Sequence, residues 1–158
     1  MARIPLFYRI FFLYVDPLIC LSGIYLFFFD HHTYILNGVP SAISSQITTT
    51  ASLSPLTEHL IIALGSYSIF VFAMQILLLH QFKDAAQGLN VKIWRIVQFG
   101  ILLIDLGLLY GVYYADPKAA LDVGVWGSRD WTGNGILGMV AMIRSAFLVG
   151  LGGVGVED

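Results

Sequence analysis

Residues 93–116 read IWRIVQFGILLIDLGLLYGVYYAD, an apolar run with a carboxylate, Asp105, near its middle. A bilayer's hydrocarbon core takes about 20 mostly apolar residues of helix to cross. Backbone groups in that medium must satisfy one another, which a helix does within a single segment. Three further runs have the same character, so spans are predicted at 6–29, 60–82, 93–114 and 135–156. The expected fold is all-α: a four-transmembrane-helix bundle with a polar interior, one domain over residues 1–158. Composition agrees, at 58% hydrophobic and 11% charged, against about 45–50% and about 25% in soluble domains. A net charge of −2 without a basic run argues against nucleic acid as a partner. The single Cys20 forms no internal disulfide, and no Cys/His spacing suggests a metal. No cofactor is expected.

The first run is interrupted by Asp16-Pro17, continues to Phe29 and has no small-residue cleavage site after it. It is read as a retained helix kinked at Pro17, not as a signal peptide. The connections fall at 30–59, 83–92 and 115–134. Arg3, Arg9, Lys83, Lys92 and Arg95 lie on one side, against Lys118 and Arg129 on the other. That bias predicts cytoplasmic termini in the endoplasmic reticulum membrane. The first connection, with its SAISSQITTTASLSP stretch, then faces the lumen, either as a flexible loop or as a lid.

With the spans side by side, Asp16, Asp105 and Arg144 each fall near mid-depth on a different helix. Gln75 lies about 6 Å to the cytoplasmic side of the second span's centre, at about 1.5 Å per residue. A charge at a helix centre costs about 2.5–3.5 kcal/mol, so these groups should turn inward and find partners. Polar residues recur on narrow stripes: Arg9, Asp16, Cys20 and Gly23; Ser68 and Gln75; Gln98 and Asp105; Gly133, Leu137 and Arg144. Arg144 is expected to hold one aspartate ionised. The other, desolvated beside a like charge, is expected to keep its proton. Asp105, in GILLIDLGLLYG, is favoured as that acid, because Asp16 has Arg9 below it and a helix-breaking Pro17 beside it. Two carboxyls in divergent environments suit acid/base chemistry. The competing account is a structural Asp–Arg pair that fixes helix register.

A second polar group is predicted at the lumenal ends. LTEHL supplies Glu58 and His59, with Thr57 as a helix cap. VWGSRDWTGNGILG supplies Trp126, Arg129, Asp130, Trp131 and Asn134. These are either interfacial anchors and helix-end acids or a mouth in which Asp130, Glu58 or His59 assists the buried pair. His31, His32 and His80 read as loop or interface residues. Tyr110 is about 140° round the helix from Asp105, so the two share a face only if a glycine distorts the turn.

IPLFYRIFFLYVDP at 4–17, DLGLLY at 105–110, and RDWTGNG followed by IRSAFLVG together resemble a family of small fungal four-span membrane proteins of secondary-metabolite clusters. Within it the chain looks most like the hydrolases or cyclases of aurovertin- and citreoviridin-type pathways. Its build is similar to the emopamil-binding-protein superfamily and, more distantly, to membrane terpene cyclases. The resemblance implies acid-initiated, metal-free chemistry on an apolar substrate, with Asp16, Asp105, Tyr110, Asp130, Trp131, Asn134 and Arg144 at matching positions. The family pattern has a His before the Leu-Tyr of the third span and a Glu late in the second; here Leu108 and Gln75 stand there.

The expected function is a membrane-embedded acid/base enzyme that opens an epoxide or cyclises a lipophilic polyketide or terpenoid. Asp105, Asp16, Arg144 and Asp130 are its expected catalytic residues, and Gln75, Tyr110, Trp131, Asn134, Glu58 and His59 its substrate contacts. Its expected partners are that lipophilic small molecule and the bilayer. A sterol-isomerase-like or lipid-binding protein and a non-catalytic scaffold are the alternatives.

Overall fold

The computed structural model describes residues 3–39, 44, 53–86 and 88–155. Helix α1 spans Leu6–Phe29, α2 His31–Gly38, α3 Pro55–Gln81, α4 Leu89–Ala115 and α5 Pro117–Leu121. Residues 128–148 form α6, built from Ser128–Asp130, a π turn at Trp131–Gly135 and Ile136–Leu148. Among the described residues there is no strand. The chain is an all-α bundle and a membrane protein: α1, α3 and α4 are long and apolar enough to cross a bilayer. Their outer faces are apolar, with Leu18, Phe70 and Leu103 exposed.

Helix bounds depart from the sequence reading where capping chemistry decides them. Ser54, not Thr57, caps α3, its hydroxyl accepting from the Thr57 amide at 3.1 Å. Helix α6 starts at Ser128 and stops at Leu148, short of the expected 156. There Gly150 turns left-handed at φ 86°, and the amides of Gly150 and Leu151 return to the Phe147 and Ala146 carbonyls at 3.1 and 3.0 Å. This is a glycine C-cap. The chain then folds back, the Gly155 amide donating to the Arg3 carbonyl and Val154 entering the core.

The connection at 30–59 is not all loop. Asp30 caps α2 by accepting from the Thr33 amide at 3.0 Å, and hydrogen bonds from Thr33 hold its carboxyl below the ordinary range. The expected lid or flexible stretch SAISSQITTTASLSP falls mostly on 41–43 and 45–52, outside the described residues. The connection at 115–134 holds α5 and a 3-10 turn, Val123–Val125, with the Trp126 indole donating to the Ala119 carbonyl at 2.7 Å.

Helices α1, α3, α4 and α6 pack in sequence, and α6 reaches back to α1 through side chains. Gly65 sets the α1–α3 approach: a Cβ there would lie 2.7 Å from Cβ of Phe27. Small residues let membrane helices come this close. Phe147 of α6 closes the ring edge-on against Tyr8 and Phe12 of α1, at 5.2 and 5.3 Å. Phe12, Leu79, Trp94 and Phe147 are each 0% exposed. Together they plug one half of the bundle.

Candidate functional site

Above that plug the polar side chains meet. The Arg144 guanidinium donates in three directions: Nε to Asp105 Oδ2 at 2.7 Å, Nη1 to Gln98 Oε1 at 2.6 Å, and Nη2 to Asp16 Oδ1 at 2.9 Å. Gln75 Nε2 donates to Asp16 Oδ2 at 2.6 Å and to the Phe12 carbonyl at 3.1 Å. All five side chains are buried. The Phe12 ring lies 6.0 Å below the guanidinium carbon. Arg144 therefore holds both aspartates, where the sequence reading has it hold one. The planar fork of five N–H donors makes that possible, since each edge of the guanidinium meets its own acceptor.

The Phe12 carbonyl is available because of Pro17. Residues Phe11–Val15 form a π turn in which the Asp16 amide returns to the Phe11 carbonyl rather than to that of Phe12. The next amide that could serve Phe12 in a π pattern belongs to residue 17, and proline has none. Gln75 supplies the missing donor. The expected kink at Pro17 thus takes the form of a π turn with a side chain from α3 inserted against it. The same side-chain amide also donates to Asp16.

The two carboxylates differ in what remains open. Both oxygens of Asp16 accept a donor, while Asp105 Oδ1 accepts none among the described residues. Gln98 is fully buried, and its Nε2 also has no partner among them.

Asp16, Gln75, Asp105 and Arg144 form one end of a cavity of about 400 Å³. Its walls are largely apolar, including Leu64, Val71, Ile104, Leu137 and Val140. Cys20, Gly23 and Ser68 line it too, as their stripes require. At the other end Tyr34, Asn37 and Gly38 of α2 face Thr132, Gly133 and Asn134 of α6. Gly133 permits this closure: a Cβ there would land on the Asn37 carbonyl oxygen.

The family model described as "Domain of unknown function (DUF7704)" matches residues 1–154. The chain belongs to that family. No curated protein and no solved structure matches it.

In this DUF7704 member several other expected site residues lie away from the cavity. Asp130 is buried, but it accepts the Gly127 amide at 3.1 Å at the start of α6 and does not line the cavity. Glu58 and His59 are exposed on the first turns of α3. Trp131 is half exposed and packs edge-on against Trp126, at 5.1 Å. Tyr110 is 64% exposed beside Tyr113 and Tyr114; neither Gly107 nor Gly111 bends α4 enough to bring it round. Of the group expected at the lumenal ends, Asn134 alone reaches the cavity. Arg9 does not sit beneath Asp16 but extends to Asp84 at 3.0 Å. Long cationic side chains near helix ends reach outward in this way. Gln98 belongs to the cluster, and its place seven residues before Asp105 is the sequence signal for it.

Proposed function

We propose that this protein is a membrane-embedded acid/base enzyme that opens an epoxide, or closes an oxygen ring, on a lipophilic polyketide or terpenoid. One observation carries the proposal: two buried carboxylates share one guanidinium at the end of an apolar cavity of about 400 Å³. The sequence resemblance to fungal epoxide-opening membrane proteins supports the same chemistry. No step calls for a cofactor or metal.

The proposed roles follow from the open oxygen. With both oxygens engaged by donors, Asp16 is the ionised partner. Asp105 keeps its proton on Oδ1. That proton passes to the epoxide oxygen as the C–O bond breaks. The attacking hydroxyl or water forms the new C–O bond and releases its proton to Asp16. Proton exchange between the two carboxyls then restores the starting state. Arg144 keeps the cluster's charge balanced, since two ionised carboxylates against one cation leave an excess negative charge in an apolar site. The apolar walls hold the chain folded for attack, and such positioning adds to the effect of the acid.

Helix α6 serves as the fourth crossing, with both termini cytoplasmic in the endoplasmic reticulum and α2 on the lumenal side. A glycosylation reporter fused after Asp158 should stay unmodified, and a modified reporter inverts the orientation.

The deciding experiment is expression in membranes with a lipophilic polyene epoxide, followed by product identification. An oxygen heterocycle or diol is expected. A shifted double bond would favour an isomerase. An unchanged substrate, with midplane variants that fail to accumulate, would favour a scaffold.

A further inference from the structure

The cavity has a polar end that the acid/base chemistry leaves unused. Asn134 is only 6% exposed and lines the cavity, yet its side-chain amide makes no hydrogen bond among the described residues. Buried polar groups nearly always have partners, and a free amide in a dry apolar site is costly. Asn37 and Tyr34 of α2 line the same end, and their side chains likewise make no hydrogen bond among the described residues. Uncommitted donors and acceptors from two separate elements therefore converge on one volume.

We propose that this end is a second binding pole, which takes a neutral oxygen-bearing head group, a carbonyl or hydroxyl, of the molecule whose reactive oxygen meets Asp105. This rests on the function proposed above and adds the substrate's shape to it. The pole is lined by Tyr34, Asn37, Gly38, Thr132, Gly133 and Asn134, none of them charged. Burial pushes the Tyr34 phenol above its ordinary value, so it remains an O–H donor. A primary amide offers both two donors and an acceptor, which suits a carbonyl or a hydroxyl. A carboxylate, phosphate or ammonium head would meet no countercharge here.

The separation of the poles sets a length. Asn134 and Arg144 share α6 and stand about 15 Å apart along its axis, at about 1.5 Å per residue. Between them the walls are apolar. The substrate is therefore an elongated apolar chain with a neutral polar head and a reactive oxygen about 15 Å away.

Displacement of the neutral dye Nile red from the full chain in lipid nanodiscs tests this. Three probes span the cavity: an alkyl terminal epoxide, the same chain with a methyl ketone at the far end, and the same chain with a carboxylate there. The ketone-bearing epoxide should compete about three- to tenfold better than the headless one, the range expected of one net hydrogen bond. That gap should close in Asn134→Leu and shrink in Tyr34→Phe, which changes one oxygen atom and preserves packing if Asn134→Leu fails to fold. Asp105→Asn should keep the gap. Equal affinity for headed and headless probes, a gap that survives in the variants, or tightest binding of the carboxylate overturns the second pole. A ketone preference without ring opening by the wild-type chain overturns the enzymatic reading and leaves the pole standing.

Discussion

Asp16 and Asp105 are tied to the same guanidinium, through Arg144 Nη2 at 2.9 Å and Nε at 2.7 Å, although the two residues stand 89 positions apart in sequence. A shared cation couples the two carboxyls: a proton gained by one strengthens the hold of Arg144 on the other. Substitution at either aspartate therefore changes both.

Asp105→Asn should lower turnover about 10²–10⁴-fold, the range of one positioned general acid. The amide preserves shape and can still accept from Arg144, so the protein should accumulate normally. Product formation in membranes, normalised to protein by blot, is the measurement. Full activity in this variant would remove Asp105 from the mechanism.

Arg144→Ala should harm folding before it harms chemistry. It strands the ionised Asp16 and leaves the Asp105 carboxyl without its donor, and breaking one buried ion pair costs about 3–5 kcal/mol. Arg144→Lys should rescue little, because an ammonium is a point charge and not a planar fork. Thermal unfolding in detergent should rank wild type above Lys, and Lys above Ala. Equal stability of the alanine variant would contradict the network.

Gln75→Leu should cost about 1–3 kcal/mol for each acceptor it abandons, here the Phe12 carbonyl and Asp16 Oδ2. Pro17→Ala restores a backbone amide at the one position able to serve Phe12. In that background Gln75→Leu should cost less, and a double-mutant cycle reads the difference as coupling. Additive effects would mean that the π turn and Gln75 are independent.

Gly133→Ala should destabilise by about 1–3 kcal/mol, as overpacking does, because its new Cβ meets the Asn37 backbone carbonyl and forces α2 off the cavity. Gly138→Ala, five residues on, has open space for its methyl and should be neutral or gain about 1 kcal/mol of helix propensity. Similar melting temperatures for the two variants would argue against tight closure at Asn37.

The membrane bundle and the core of the site are legible in the sequence for one physical reason. Charges in an apolar run are so costly that Asp16, Asp105 and Arg144 announce an interior cluster, and seven-residue spacing adds Gln75 and Gln98. The closed end of the cavity is hidden. HHTYILNG has no long apolar period, and its eight residues fold as α2 because Asp30 caps them and α6 supports them. The residues near the helix ends mislead for the opposite reason. Glu58, His59 and Trp131 are polar or amphipathic at positions where water already satisfies them, so their chemistry says nothing about a cavity. Arg9 shares a stripe with Asp16, but its stem is long enough to leave that face for Asp84.

The aromatic plug decides from which direction the cluster can be recharged. Phe12, Leu79, Trp94 and Phe147 have no exposed surface of their own, and the Phe12 ring backs the Arg144 guanidinium. Water, and any proton it carries, reaches Asp16 and Asp105 by way of the cavity. On the proposed chemistry, the two carboxyls exchange their protons through the cavity side alone.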